Sequence, residues 1–510
     1  MKKVLLIVLV LLISLSALPA CGNTSDTETK APATETKAPE SSGGQNDKYD
    51  ASFDRTSVSD DISSSVKFNG ETVTFFTRND LEHWKYEMDS DAIVNDTLYD
   101  AIYYRNKTVE ERLGVTITTI QQPGNFTNRN SWNDTLRTTV NTKTGDFDAA
   151  AIYASQGSAL ALESMYYNVI DFPYINLEKP WWNQNMQDEL TLFNTLFFLA
   201  GDIAVTEITD TFCLQYNKAI YDKYYGTSDI DLYGIVENNK WTIDMMYDLV
   251  AGVHEDNNAN GLVDDGDLVG LWAKDPSYQE SWNDAWIPAM GINITTMNMG
   301  VPELSFYSER TLRAFESVKR VLATCPGTLA VTEVSTTKFA DGLVLFNMSN
   351  LNAGAGLRDM KDAYGVLPLP MLEEGQDGGY GTTFGNVASL ITILSSLPSE
   401  RKELVGATLE LMAAESYKQV TPTYFEIAVK TKYAESPEDA KMYDLVLNSV
   451  KYSFGYCYST VCLSELGSLF RVMSRDVAKT YEERAETYQQ KLDDLIEGLD
   501  EAAFKAQYGG

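Results

Sequence analysis

An α/β protein of two lobes, each a mostly parallel sheet flanked by helices, is predicted by three observations. The chain has 510 residues, more than one ordinary core absorbs, so two compact bodies are expected. From Glu71 onward, short runs of β-branched and aromatic residues alternate with segments of helical apolar spacing, the order that parallel strands joined by helices require. Hydrophobic residues make up 44% of the chain, with 8 Trp, 29 Tyr and 20 Phe, enough to fill both cores.

Charge excludes one class of partner. With 40 basic against 73 acidic residues the net charge is −33, and such a surface repels phosphate backbones and anionic headgroups. Nucleic acid is therefore not an expected partner.

The first segment reads as an address. Lys2 and Lys3 precede an apolar run from Val4 to Leu15, too short to span a bilayer, and Leu18-Pro19-Ala20-Cys21 follows. Residues 1–20 are read as an export signal. Residues 21–65 are rich in Thr, Glu, Lys, Ala, Pro, Ser and Gly and repeat Thr-Glu-Thr-Lys-Ala-Pro at 27–32 and 34–39. A segment of this kind buries too little to offset its chain entropy, so it is expected to be a disordered tether. Beyond Cys21 the cysteines are Cys213, Cys325, Cys457 and Cys462, and only the last two are close enough in sequence to suggest a bridge.

Order is expected from Glu71–Phe76, a buried-strand pattern. Leu98, Ile102, Val109 and Leu113 then repeat at helical spacing, with Gly114 as the stop and Val115–Ile120 as a second strand. A helix around Trp132, Leu136 and Val140 leads to a third strand, Phe147–Tyr153. Ligands of parallel sheets lie outside the carboxyl ends of the strands, which points to Arg78, Asn79 and Asp80 after the first and Ser155 and Gln156 after the third. An aromatic connection with Trp181 and Trp182 and the run Leu196–Leu199 lead to Asp210, which by itself reads as a solvated acid in a Thr-rich turn.

The second half repeats the theme. Phe212–Lys218 reads as a strand, and Thr242 is placed to cap a helix carrying Met246, Leu249, Val250 and Val253 on one face. The loop that follows, Asp256 to Asp267, has oxygen side chains at Asp256, Asn258, Asn260, Asp264 and Asp267, glycine at its sixth place, and Leu262 where a backbone carbonyl completes a shell. Those spacings predict a structural Ca2+ site, weakened by the short Asp267 at the twelfth place; a polar turn is the bland alternative. Trp282 and Trp286, four apart, are either core or binding platform. Asn347, Asn350 and Asn352 lie beyond a strand at Leu343–Phe346. Gly375–Gly381 reads as an exposed hairpin or mobile rim, and Phe384–Leu394 as a strand. Tyr452, Phe454, Tyr456 and Tyr458 alternate as along a strand or loop, Arg471 follows on a short helix, and the last helix shows ordinary amphipathic packing.

One order of motifs carries a resemblance. Tyr216-Asn217-Lys218, then Trp241-Thr242-Ile243-Asp244 opening a helix, then Lys338-Phe339-Ala340-Asp341-Gly342, Tyr364 to Pro370 and a helix from Ser399 to Met412 resemble the family 1 extracellular solute-binding proteins of ABC importers, the maltose-binding type. The resemblance implies a periplasmic-binding-protein-like fold hinged between lobes: 66–210 with a return segment 384–432, and 211–383 with a return segment 433–510. It implies a monomer that captures a small solute, a carbohydrate or oligosaccharide, and delivers it to ABC permease subunits. It makes Asp210 an acidic sugar contact and shifts Trp282 and Trp286 toward the ligand, with Asn350, Tyr456 and Arg471 beside them. Leu-Pro-Ala-Cys21 likewise resembles the bacterial lipoprotein box, which implies a lipid on Cys21 and anchoring on the extracellular face of the cell membrane.

Enzyme chemistry is not evident. The only histidines are His83 and His254, without matching cysteines, and neither a Gly-x-Ser-x-Gly elbow nor a phosphate loop occurs. A glycosidase, whose paired carboxylates are defined only in space, a sensor lipoprotein using the same cleft, and a dockerin-like contact module remain alternative readings.

Overall fold

The computed structural model describes residues 54–90, 96–228, 230–276, 281–332, 336–357, 359–384, 388–424, 436–458 and 464–508. Cys21, the export signal and Cys462 lie outside them.

The first sheet contains β1 (Glu71–Arg78), β2 (Val115–Gln122), β3 (Ala149–Tyr153) and a late strand, β12 (Ser389–Ile393), in the order β12-β3-β1-β2. The strands β1, β2 and β3 are parallel, with Glu71 opposite Val115 and Phe75 opposite Ala149, while β12 is antiparallel to β3. The helix Thr97–Leu113 turns its buried Leu98, Ile102, Val109 and Leu113 inward, is capped by Asp96, and ends at Gly114 in the left-handed region with φ 64°. Only a residue without Cβ adopts that conformation freely, so the glycine stops the helix and starts β2.

The second sheet is mixed. It contains β4 (Phe212–Asn217), β5 (His254–Glu255), β6 (Leu268–Lys274), β9 (Thr328–Val331), β10 (Val344–Asn350) and β11 (Tyr364–Leu367), ordered β11-β4-β10-β6-β5 with β9 on β6. β10, β6 and β9 are parallel, and β4 and β5 run antiparallel to their neighbours. A hairpin, β7 (Thr295–Asn298) with β8 (Val301–Leu304), stands apart. Thr242 caps the helix Ile243–Ala251 as its sequence requires, accepting from the Met245 amide, and Met246, Leu249 and Val250 are buried beneath it.

Three segments cross between the sheets side by side. Thr211 bridges Phe384, Phe212 donates its amide to the Thr383 carbonyl, and Thr382 bridges Val450. Gly381 enters this junction where a Cβ would stand 2.2 Å from the Pro288 carbonyl oxygen, so the close approach requires glycine.

Four expectations are corrected here. The tether does not reach residue 65: from Asp54 the chain is docked on the first lobe, with Arg55, Asp60 and Ile62 buried. Ile62 supplies apolar surface, and Asp60 gains a cation, Arg112, at 2.6 Å, which together hold a polar stretch in place. The segment 433–510 is not wholly part of the second lobe. Pro437–Asn448 packs on β11, whereas the final helix, Val477–Tyr508, stacks Tyr481 on Tyr307 of the second lobe at 4.5 Å and ends with Gln507 donating to the carbonyls of Phe193 and Asn194 in the first. That helix is a strap across both lobes. Gly375–Gly381 is a pinned turn, not a loose rim, because buried Gln376 accepts from Arg310 and donates to the Ala289 carbonyl. The Tyr452–Tyr458 alternation belongs to no strand: Phe454–Cys457 is a helical turn.

Candidate functional site

The parallel strands end where the crossing segments begin, and polar side chains gather there. Arg78, last residue of β1, is buried; its guanidinium lies 4.2 Å from the Trp84 ring centroid and 5.3 Å from that of Tyr153. One amino group donates to Ser389 Oγ at 2.8 Å, while Nε and the other amino nitrogen have no hydrogen-bond partner among the described residues. Burial pushes this guanidinium down from its usual range, with Glu87 and Asp210 acting in the opposite direction. Asp210 is buried at the first crossing; Oδ1 is 3.2 Å from His83 Nε2, and Oδ2 has no partner. The indole N–H of Trp84 and the hydroxyl of Thr209 are also buried without one. His83 Nδ1 is 3.5 Å from the Asn352 amide, so this cluster draws on both lobes.

A second cluster faces it from the other lobe. Arg471 grips Asp284 with Nε and Nη2, both at 2.6 Å, and the Tyr456 hydroxyl donates to the same carboxylate at 3.2 Å. Burial pushes both partners toward neutrality. At Arg471 the two-point contact wins and holds the guanidinium above its ordinary range, while at Asp284 burial wins and the carboxyl sits above its usual range despite Arg471 and Tyr456. Tyr153 joins the clusters, lying within the fields of Arg78, Arg471 and Arg129 together.

The residues singled out by sequence separate accordingly. Arg78, Asp210, Tyr456 and Arg471 stand at the junction. Ser155 is buried just beyond β3, Gln156 is half-buried beside it, and Asn79 is exposed. Asp80 serves the backbone, accepting the Gly124 amide at 2.6 Å. Trp282 is half-buried with its ring 5.4 Å from Phe212 at the first crossing, but Trp286 is fully buried. Trp286 is core, a correction, because its short helical turn faces the packed side of the lobe. Asn350 pairs with Phe212 at the end of β10, whereas Asn347 is buried and donates to Gln215. Sequence reading missed Trp84, Tyr153, His83 and Asp284. Asp284 stands between the two tryptophans, and an acid in that apolar setting was the available signal.

The Asp256–Asp267 loop lies elsewhere, at the edge of the second sheet. Asp256 accepts the amides of Asn260 at 3.1 Å and Gly261 at 2.7 Å, Asn260 Oδ1 accepts Leu262 N–H at 2.7 Å, and Asp264 receives the amides of Asn258 and Asn260. Asp267 is buried and accepts the Asn257 and Asp264 amides at 3.0 and 3.1 Å. Gly261 has φ 75°, the sharp turn such a loop needs. Among the described residues no group of three or more His, Cys, Asp or Glu side chains is placed to hold a metal. The loop's donors are instead carboxylate, amide and carbonyl oxygens, chemistry suited to a hard cation.

No protein-family model matches the chain, and no curated protein matches it in sequence. Solved structures do match. A cyclo/maltodextrin-binding protein complexed with maltotetraose aligns over 85% of this chain and 98% of its own, with a TM-score of 0.53 and 10% identity. The maltose/maltodextrin-binding domain MalE from Bdellovibrio bacteriovorus, bound to maltotriose, gives 84% and 100%, 0.51 and 12%. The galacto-N-biose-/lacto-N-biose I-binding protein of the ABC transporter from Bifidobacterium longum, in complex with lacto-N-biose, gives 86% and 99%, 0.54 and 13%. At such identities the likeness is one of fold: the chain has the two-lobe α/β architecture of solute-binding proteins.

Proposed function

We propose that this chain is an extracellular solute-binding protein that captures a carbohydrate or oligosaccharide between its lobes and hands it to an ABC import permease. The observation carrying this reading is the set of buried, unpartnered donors and acceptors at the lobe junction: Arg78 Nε and Nη1, Trp84 Nε1, Thr209 Oγ1 and Asp210 Oδ2. Leaving such groups buried and unpaired costs about 1–3 kcal/mol each. A polyol supplies donors and acceptors together, while aromatic faces such as Tyr153 and Trp282 cover its C–H surface. Closure about the three crossing segments then buries the solute.

The reading is of binding without turnover. Two of the nearby carboxylates are committed, Asp284 to Arg471 and Glu87 to the Thr206 amide and hydroxyl, and Asp210 keeps one unpartnered oxygen. A glycosidase needs two free to face each other across the bond it breaks. By the same proposal the protein acts as a monomer, held outside a bacterial cell by a lipid on Cys21, and Asp256, Asn258, Asn260, Asp264, Asp267 and the Leu262 carbonyl hold a structural Ca2+.

Titration of an oligosaccharide panel, read by tryptophan fluorescence and solution scattering, tests the core of this. A cognate saccharide is expected to bind, shrink the radius of gyration and remain chemically intact, and Arg78→Met to weaken it at least tenfold. Release of new reducing ends, or closure only with peptides, overturns it.

A further inference from the structure

Beneath the Asp284 cluster lies a narrow pocket that the proposed function does not use. Its apolar walls are Ile287, Pro288, Ile292 and Ile294 of the second lobe, and its polar members Thr383, Lys451 and Ser453 come from the second and third crossing segments. About 20 Å³ is open to water-sized occupants. That exceeds the need of a single water and falls far short of a whole sugar, so the pocket accepts one functional group.

Thr383, Lys451 and Ser453 can all donate; Asn293, Asp284 and Tyr456 complete the polar lining, the last two already bonded to each other. Thr383 is buried with Oγ1 unpartnered, and Ser453 Oγ is likewise buried without a partner. Lys451 spends its backbone amide on the Thr382 carbonyl, and its ammonium makes no ion pair among the described residues. Burial alone pushes that ammonium's pKa down, with no carboxylate acting against it. The nearest acid in the wall, Asp284, is neutralised by its two-point contact with Arg471. An ammonium and two hydroxyls against apolar walls form a receptor for an acceptor-only group carrying negative charge.

We infer that this pocket reads a carboxylate on the solute, so that the saccharide taken by this chain carries a uronic acid unit. The inference rests on the saccharide-binding reading above. The carboxylate lies against Lys451, Thr383 and Ser453, while the remainder of the sugar extends past Tyr456 toward Tyr153 and Arg78. Because all three donors belong to the crossing segments, occupancy of the pocket joins those segments to the second lobe wall.

The test uses the full mature chain and matched disaccharides that differ only at C6, a uronate against its primary alcohol, with sodium acetate as a saccharide-free carboxylate. The uronate is expected to bind at least tenfold more tightly than the alcohol. Lys451→Met and, separately, Thr383→Val should each shrink that ratio, the first to within threefold of unity; thermal midpoints confirm that both variants fold. Equal binding of the two disaccharides, or a ratio untouched in both variants, overturns the carboxylate pocket and leaves saccharide binding standing. Binding of acetate, lost in Lys451→Met, with neither disaccharide bound keeps the pocket and removes the saccharide reading. Silence from all three ligands overturns both.

Discussion

Asp60 accepts hydrogen bonds from both terminal nitrogens of Arg112 at 2.6 Å each, joining a segment that composition marks as tether to the helix Thr97–Leu113 of the first lobe. Burial works to raise the Asp60 carboxyl, but Arg112 and the Ile62 amide outweigh it and hold it below its usual range. Asp61 adds a contact with Lys179 at 2.6 Å. A chain starting at Ser63 loses this ion pair and the buried Ile62. It should therefore be less stable than one starting at Asp54 by about 3 kcal/mol, from apolar burial and the charge-assisted contact together. Denaturant unfolding of the two truncations decides; matching midpoints would show the docking to be superficial.

Glu410 gives the first lobe a pH dependence. Its two carboxylate oxygens accept the indole N–H groups of Trp181 at 3.1 Å and Trp182 at 2.8 Å, and burial raises its pKa from 4.5 to about 7. An acid with a raised folded-state pKa stabilises fully below the unfolded value, and that share is lost as pH climbs through the folded one. Between pH 5 and pH 8 the native protein should lose about 2 to 3 kcal/mol relative to Glu410→Gln, at 1.36 kcal/mol per pKa unit. Parallel stability curves for the two proteins would rule this out.

Arg471 and Asp284 form a buried pair whose halves are not separable. Arg471→Met leaves the fully buried carboxylate with only the Tyr456 hydroxyl, and the cost should be about 3–5 kcal/mol. Adding Asp284→Asn should recover part of it, since the uncompensated charge is then gone. A single variant as stable as the native chain would mean the pair is incidental.

Calcium should raise the thermal midpoint of the native chain and have little effect on Asp256→Ala. Asp256 turns both oxygens onto loop amides, Asn260 and Gly261, so its loss disorganises the loop as well as removing a ligand. Equal midpoints in calcium and in chelator for the native chain would exclude the site.

Local signals carried most of the architecture. The Gly114 stop, the Thr242 cap and the strand at Phe212–Asn217 each follow from a few neighbouring residues, and each is where those residues place it. The junction was legible only in part. Arg78 could be located because it ends a parallel strand, a position that topology defines, whereas Asp210 was pointed to by the resemblance alone. Trp282 and Trp286 could not be told apart, since helical spacing gives relative direction only and the packed side is chosen by other elements. Asp60 and Ile62 were hidden for a related reason: their partners, Arg112 and the core beneath it, are remote in sequence, and composition averages over such contacts.

The strap Val477–Tyr508, 32 residues and so about 48 Å long, decides which body is grounded. Its last turn is fastened to Phe193 and Asn194, and the chain's other described end, near Asp54, is fastened to the same lobe through Arg55 and the Tyr417 carbonyl. Any load applied at either terminus, whether by an anchor, a fused reporter or a surface attachment, therefore falls on the first lobe. Under the proposed closure, the second lobe is the jaw that moves against that seated body.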